Sequence, residues 1–212
     1  MKETEKKIES VKLIDEGNSG TIYQVEGNMA KKVFKNKKFF DAELQILERT
    51  KGIKNIIKVT KILKEEKTIY MEYIPYNLDK IITGKYPKKL YQFNKVKIIT
   101  GFLEGLKSLH DNGIIHNDFK AKNIQITENS DVKIIDFDSS DFGLKSIPKR
   151  TEDINKAKII ILQIINKRTY LHTFKNKHNY LNNIEDEKLR TIMEFGRNNL
   201  SELINYVKKI KF

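Results

Sequence analysis

The sequence predicts an α+β fold in which a small antiparallel sheet precedes a mostly helical region. The sheet is predicted because apolar and polar residues alternate over residues 8–34 and again over residues 56–74, with turn-forming residues between the runs. The helices are predicted because apolar residues in the second half recur at intervals of three and four, most clearly over residues 93–110. With 212 residues, the chain is long enough to bury a core.

The predicted sheet contains five strands and is accompanied by one helix. The segment Glu26-Gly27-Asn28 has the composition of a tight turn between two of the strands. Residues 38–49 combine apolar and polar positions in a helical pattern. The strands are predicted at residues 8–14, 21–25, 29–34, 56–63 and 68–74.

Helices are predicted through the remainder of the chain. A short helix is expected after Asn77, whose side chain suits a helix cap, and Gly113 is expected to stop the helix of residues 93–110. Thr151 is expected to cap the next apolar helix, with Glu152 and Asp153 in its first turn. The last predicted elements are a loop at residues 170–180 and two helices near residues 184–195 and 200–210.

The composition limits the location and the partners of the protein. The chain contains no cysteine, so disulfides and thiolate zinc sites are excluded. It has no apolar run long enough to span a membrane and no apolar signal-peptide core, so we expect an intracellular, cytoplasmic protein. The net charge of +13 would suit nucleic acid, an anionic membrane surface or an acidic substrate, but lysines spread along the whole chain are also typical of a solvated surface. The oligomeric state is left open.

Two polar clusters lie between apolar pairs. The first is Ile-Ile-His-Asn-Asp-Phe-Lys-Ala-Lys-Asn-Ile at residues 114–124, and the second is Val-Lys-Ile-Ile-Asp-Phe-Asp at residues 132–138. This pattern predicts short buried strands that deliver Asp118, Asn123 and Asp136 into a cleft. Carboxylate and amide oxygens are the ligands that magnesium prefers, and a carboxylate can orient a hydroxyl and accept its proton.

The pattern His-x-Asp-x-Lys-x-x-Asn, followed by a hydrophobic strand that ends in Asp-Phe, closely resembles the catalytic and metal-binding loops of protein kinases. The resemblance implies a bilobal protein-kinase-like fold, with a nucleotide-binding N-lobe at residues 1–74 and a reduced helical C-lobe at residues 75–212. It also implies that the protein uses ATP and Mg²⁺.

The same resemblance assigns roles to the polar residues of the two clusters. Asp118 would be the catalytic base, and Lys120 would reach the phosphate in transfer. Asn123 and Asp136 would bind the metal. His116 is expected to be a structural support, because Asp118 already fills the role of the base.

Residues of the predicted sheet resemble the nucleotide-binding residues of kinases. The segment Gly17-Asn18-Ser19-Gly20 resembles the phosphate-covering loop, although Asp15 stands where the first glycine of that loop usually lies, and Ile22 follows the loop. Ala30 and Lys32 share one face of their strand, so the resemblance places Ala30 over adenine and Lys32 at the phosphates.

Further positions of the predicted N-lobe complete this nucleotide site. Glu43, with Glu48 as the weaker rival, would pair with Lys32 as the helix glutamate does in active kinases. Met71 would line the back of the pocket, and the backbone from Glu72 to Ile74 would offer hydrogen bonds to adenine.

Several positions depart from the kinase pattern. Asn117 replaces an arginine that in many kinases holds a phosphorylated activation loop, so control by such phosphorylation is not expected. Asp138 replaces a glycine, and its role is open between a metal contact and a stiffer loop. Gln125 lies where kinases usually place an apolar floor for adenine. Residues 139–150 are short for an activation segment, and Asp153 is either a buried brace of the catalytic loop or a simple first-turn acid.

The leading functional interpretation is a Ser/Thr protein kinase with a protein substrate. The sequence His-Asn-Asp with Ile-Asp-Phe-Asp also resembles choline and aminoglycoside kinases, but Lys120 and the short spacing between Asn123 and Asp136 argue against that class. Two more functions stay open: a kinase-like ATPase that acts beside tRNA-modifying enzymes, where a basic surface would bind RNA, and a pseudokinase scaffold. The retained polar set argues against the scaffold.

Overall fold

The computed structural model has the α+β architecture that the sequence predicts. An antiparallel sheet with one helix forms the first part, and helices dominate the rest. The described residues are 11–86, 93–143, 146–166, 186–195 and 199–210. The predicted loop at residues 170–180 and the start of the predicted first strand lie outside them.

The sheet has five antiparallel strands in the order β1-β2-β3-β5-β4. The first strand begins at Lys12 and runs to Glu16, later than predicted, and all its residues are exposed. The fourth begins at Val59 instead of residue 56. The bounds of the strands are β1 Lys12–Glu16, β2 Gly20–Val25, β3 Met29–Phe34, β4 Val59–Leu63 and β5 Thr68–Glu72.

The late start of β4 has a physical cause in the second half of the chain. The Ile57 N–H donates to the Ile134 carbonyl at 3.1 Å, and the Ile134 N–H donates to the Asn55 carbonyl at 2.9 Å. Apolar residues that were predicted to begin a strand of the sheet are instead hydrogen-bonded to a strand of the helical region. This connection joins the two parts of the molecule across the predicted boundary between residues 74 and 75.

Helix α1 (Lys37–Arg49) packs against the sheet and carries a buried acid. Asn36 caps the helix, since its side-chain oxygen accepts from the Phe39 N–H at 3.1 Å. Its buried face contains Phe40, Leu44 and Leu47, and Glu43 lies on the same face. Helical periodicity therefore places one carboxylate among the apolar residues that face the sheet.

The helical part is organised around a central helix, α3, whose residues Phe102, Leu103 and Leu106 are fully buried. Asn77 caps α2 as predicted, accepting from the Lys80 N–H at 3.3 Å. None of the helices in the described ranges is both long and apolar enough to cross a membrane. The helices are α2 Leu78–Ile82, α3 Lys95–Asp111, α4 Ile147–Asn166, α5 Glu187–Glu194 and α6 Leu200–Lys209.

Short strands connect the helices and carry the two polar clusters. One sheet has the order β6-β8-β9, and β7 pairs with β10. A 3₁₀ turn, Ala121–Asn123, precedes β8. The strands are β6 Tyr76–Asn77, β7 Ile114–Ile115, β8 Ile124–Ile126, β9 Val132–Ile134 and β10 Asp141–Phe142.

The predicted cap of α4 is wrong. The helix begins at Ile147, so Thr151 lies inside it and cannot cap it. Pro148 stands in the first turn, where its missing N–H costs no hydrogen bond and its fixed φ suits a helix. The prediction relied on the side-chain oxygen of Thr151 and overlooked the proline as the stronger signal.

Gly20 is required by the packing of the sheet. A Cβ at this position would lie 2.4 Å from the Val33 carbonyl oxygen in β3, whereas a Cβ at Gly17 would meet nothing closer than 3.9 Å. We therefore expect Gly20→Ala to lower the free energy of unfolding by about 1–3 kcal/mol, because backbone would have to move. Gly17→Ala is the matched control and should change it by no more than about 0.5 kcal/mol. Urea unfolding measures both values, and equal effects would contradict the packing explanation.

Candidate active site

The turn after β7 is supported from beneath by a buried aspartate of α4. Asp153 is fully buried, and its carboxylate accepts from the His116 N–H at 2.9 Å and the Asn117 N–H at 3.1 Å. The His110 Nε2 atom lies 3.1 Å from the same carboxylate. Asp153 is thus a buried brace of the turn at His116 and Asn117 and not a simple first-turn acid, which decides between the two sequence interpretations.

Two residues of the polar clusters have a left-handed backbone. Asn117 has φ of 62° and Asp136 has φ of 66°. Asn and Asp adopt this conformation more readily than other non-glycine residues. The chain therefore turns sharply beside Asp118 and at Asp136. These are the two carboxylates that the sequence predicted for the site.

Asp118 and Asn123 form one hydrogen-bonded unit. The Asn123 amide nitrogen donates to the Asp118 carbonyl at 2.9 Å and to its carboxylate at 3.2 Å. Lys120 Nζ lies 2.5 Å from the same carboxylate. The Asp118 side chain is 35 % exposed, so a substrate hydroxyl could approach it. The structure brings together three of the polar residues that the sequence predicted as a group.

Lys32 joins the sheet, α1 and the second polar cluster. Its Nζ atom lies 2.6 Å from the Glu43 carboxylate and 3.1 Å from the Asp136 carboxylate. Burial lowers the pKa of Lys32, but the two carboxylates raise it by more, and the net pKa is raised. The lysine is therefore positively charged. Among the two sequence candidates, Glu43 is the partner of Lys32.

The residues predicted to bind Mg²⁺ have suitable free oxygens. Asn123 uses its amide nitrogen on Asp118, which leaves its amide oxygen without a partner among the described residues. Asp136 accepts from Lys32 through one carboxylate oxygen only. The Ile135 N–H donates to the Asn123 carbonyl at 3.0 Å. This bond holds Asn123 beside the residue that precedes Asp136. An amide and a carboxylate oxygen fit Mg²⁺, with the remaining positions open to water or phosphate.

The acids near the two residues predicted to bind Mg²⁺ form no larger cluster in the part of the chain that the structure describes. In the described ranges, no three His, Asp or Glu side chains are grouped so that they could hold a metal. Asp138 accepts from the Ser139 hydroxyl at 3.0 Å. This contact lies within the loop, and it favours the stiffer-loop interpretation of Asp138.

One face of the sheet carries the predicted nucleotide residues. Ile22 pairs with Lys32, and Ala30 pairs with Met71. Directly paired residues share a face, as do residues two apart in a strand, so these four side chains lie on one side of the sheet. Ala30, Lys32 and Met71 are buried, and Ile22 is half-buried.

The loop between β1 and β2 is a short turn. The Gly17 N–H donates to the Gly20 carbonyl at 2.9 Å, and the Ser19 carbonyl accepts from the Lys35 N–H at 2.9 Å. Asn18 is exposed at the tip, whereas Ser19 is buried. A Cβ at Gly17 would make one ordinary contact, at 3.9 Å from the Gly20 carbonyl oxygen, so the backbone at this position is not crowded.

The segment after β5 is partly occupied by other contacts. The Tyr73 N–H donates to the Asn28 carbonyl at 2.9 Å, whereas no described residue accepts from the Ile74 N–H. The Glu72 side chain lies 2.9 Å from Lys133 Nζ and accepts from the Lys58 N–H at 2.8 Å. Within the predicted adenine-binding backbone, Ile74 therefore retains a free donor.

Sequence reasoning missed how the loop after Asp136 is held. The Asn117 amide donates to the Ser139 carbonyl at 2.8 Å, and the Ser140 hydroxyl donates to the His116 carbonyl at 3.2 Å. Lys156 of α4 donates to the Asn117 carbonyl at 2.7 Å. The asparagine that replaces the kinase arginine thus binds this loop directly. The asparagine beside Asp118 was a visible signal in the sequence, but its hydrogen-bond partner could not be predicted from the sequence.

The comparisons with known proteins agree with this geometry. A family model of the protein kinase domain matches residues 8–153, which is more than half of the chain. The chain belongs to the protein kinase family. The match ends at Asp153, so it includes both polar clusters and the buried aspartate that supports the first of them.

Individual relatives are distant protein kinases. The chain is 26 % identical over 181 residues to extracellular signal-regulated kinase 2 of Dictyostelium discoideum, which covers 78 % of this chain and 47 % of that protein. It is 31 % identical over 150 residues to serine/threonine-protein kinase Tao of Drosophila melanogaster, which covers 64 % of this chain and 14 % of the relative. The chain therefore spans less than half the length of these curated relatives.

The buried histidine makes stability depend on pH. Burial lowers the pKa of His116 from its usual value of 6.5, against the opposing effects of Asp153 and of the Ile135 carbonyl. Because the folded pKa is below the unfolded one, the unfolded chain binds the proton first as the pH falls. This contribution to stability is intact above about pH 6.5 and is lost below it.

Urea unfolding of the wild type and of His116→Phe between about pH 5 and pH 8 tests this expectation. The wild type should lose stability below about pH 6.5 more steeply than the variant, by up to about 1.4 kcal/mol per pH unit. Parallel pH dependence of the two proteins would show that His116 is not the titrating group.

Proposed function

We propose that the protein transfers the γ-phosphoryl group of ATP to a serine or threonine hydroxyl of a protein substrate. The observation that carries the proposal is the hydrogen-bonded unit formed by Asp118, Lys120 and Asn123. Membership in the protein kinase family supports phosphoryl transfer, and the Ser/Thr class of the relatives supports the acceptor. ATP and Mg²⁺ are the cofactors that this proposal requires.

The nucleotide would lie between the sheet and the polar clusters. Lys32, held by Glu43, would neutralise the α- and β-phosphates, and the turn at residues 17–20 would lie over them. Ala30, Ile22 and Met71 would contact the base, and the Ile74 N–H and the Glu72 carbonyl would hydrogen-bond to it. Mg²⁺ on Asn123 and Asp136 would supply positive charge at the phosphate oxygens.

The chain's own residues would carry the transfer step. Asp118 would orient the substrate hydroxyl and accept its proton while the hydroxyl oxygen bonds to the γ-phosphorus. The bond between the γ-phosphorus and the bridging oxygen breaks, and ADP leaves with that oxygen. Lys120 pairs with Asp118, so it lies beside the proposed base. It would turn to the transferred group, where it would offset the charge that develops.

One structural feature favours a second candidate, a kinase of small alcohols. Only residues 137–146 separate Asp136 from the start of α4 at Ile147. This short connection leaves little chain to form a platform for an extended peptide beside Asp118. A small acceptor would need no such platform, so the acceptor class must be decided by experiment.

Asp118→Ala is the variant that tests the mechanism. Because the proposed base is removed while Lys32 and Asp136 remain, kcat should fall by about 10²–10⁴-fold. Nucleotide affinity should change by no more than about threefold, because Asp118 is not a proposed phosphate or metal ligand. Turnover is measured with labelled ATP and Mg²⁺ on casein-type proteins, choline and aminoglycosides, and affinity by fluorescence titration with a nucleotide analogue.

Asp111→Ala is the matched control, because Asp111 is an exposed carboxylate at the end of α3 that pairs only with Lys107 among the described residues. It should leave turnover unchanged. Label in protein supports the leading proposal, and label only in a small molecule supports the second candidate. Turnover that survives Asp118→Ala would remove Asp118 from the role of base.

A further inference from the structure

A groove lies on the sheet side of the molecule, apart from the candidate active site. It has a volume of about 540 Å³ and is lined by residues from the C-terminal half of α1, from the segment between α1 and β4 and from β4, together with Lys133 of β9. We call this the basic groove. None of the residues proposed to bind ATP or Mg²⁺ or to act in catalysis is among its lining residues. The proposed function therefore gives this groove no role.

The floor of the basic groove is aliphatic. Leu44 and Leu47 of α1 are buried beneath it, whereas Ile53, Val59 and Ile62 are only half-buried and keep apolar surface in contact with water. Covering such surface is favourable by roughly 25 cal/mol per Å². Apolar side chains of a partner could therefore gain binding energy here.

The rim of the basic groove carries positive charge that is not neutralised. Lys51, Lys54, Lys58 and Lys61 are exposed, and none forms an ion pair with a described residue. Glu48 is the single acid of the lining, and the fifth lysine, Lys133, is paired with Glu72. Some exposed lysines elsewhere pair with acids, as Lys37, Lys97 and Lys107 do, and others form no ion pair among the described residues, but the rim gathers four unpaired lysines around one apolar groove.

We propose that the basic groove binds an acidic segment of a partner protein. Leucine-like side chains of the segment would enter the aliphatic floor, and its Asp and Glu side chains would pair with the lysine rim. Charge complementarity of this kind directs association and selects the partner. This interaction surface goes beyond the proposed function and does not depend on it.

The lining argues against nucleic acid as the occupant. Recognition of single-stranded RNA uses aromatic side chains on which bases stack. Among the described residues, the lining of the basic groove combines leucine, isoleucine and valine with lysines and includes no aromatic side chain. Aliphatic side chains beside unpaired lysines fit an acidic amphipathic peptide better than a polynucleotide.

Fluorescence anisotropy with synthetic peptides on the full chain tests the proposal. The probe is a labelled peptide that alternates leucine with pairs of glutamate. Two comparison peptides replace either every glutamate with glutamine or every leucine with serine. We expect both replacements to weaken binding by about tenfold or more, because charge and apolar contact are both required.

Matched charge reversals locate the binding site. Lys51→Glu, Lys54→Glu and Lys58→Glu together should weaken binding of the probe by about tenfold or more. The same reversal at Lys12, Lys38 and Lys209, which are exposed and lie outside the groove, keeps the net charge equal and should have a much smaller effect. Ile53→Ser should also weaken binding, with the urea unfolding midpoint as a check that the variant folds.

Each other result overturns the proposal. Net charge alone would attract the probe if both triple variants lost the same amount of probe affinity. The same would follow if the serine-substituted peptide bound as tightly as the probe. If the peptide probe does not bind, a poly-uridine RNA can be tested in its place. RNA binding that is lost in the Lys51, Lys54 and Lys58 variant and kept in the control variant would assign the surface to nucleic acid. Absence of both would leave the lysines as a solvated face.

Discussion

The buried contact of Lys32 with Glu43 and Asp136 is the interaction on which the remaining geometry depends. It joins strand β3 and the neighbouring helix α1 to the loop after β9, where Asp136 lies 104 residues further along the chain than Lys32. Removing one partner from a buried charged group leaves the others uncompensated, at a cost of about 3–5 kcal/mol. The contact therefore specifies where α1 lies against the sheet and where Asp136 lies beneath it.

The second part of the site is held by internal hydrogen bonds to backbone groups. Asp153 fixes the turn at His116 and Asn117, and Asn117 in turn binds the loop that follows Asp136 through Ser139. These bonds use neutral amides and a buried carboxylate. The loop is thus held in place by unmodified side chains, which accounts physically for an asparagine at a position where many kinases have an arginine.

Much of this arrangement could be predicted from sequence, because local signals and motif spacing agree over Gly17 to Asp153. The pairing of Lys32 with Glu43 and the group around Asp118 followed from motif order. The start of β4 and the cap of α4 were not predicted correctly. Ile57 is hydrogen-bonded to Ile134 of a distant strand, and Pro148 lies in the first turn of α4, ahead of Thr151. Hydrogen bonds between distant segments leave no periodic pattern in the sequence. Roles in nucleotide and metal binding remain predictions.

A double-mutant cycle on Lys32 and Glu43 tests the central claim most directly. The dissociation constant for Mg-ATP is measured by titration for the wild type, Lys32→Met, Glu43→Gln and the double variant. If the two residues act as one unit at the phosphates, Lys32→Met should weaken binding by about tenfold or more, and adding Glu43→Gln should weaken it no further. Independent effects that multiply in the double variant would contradict the account.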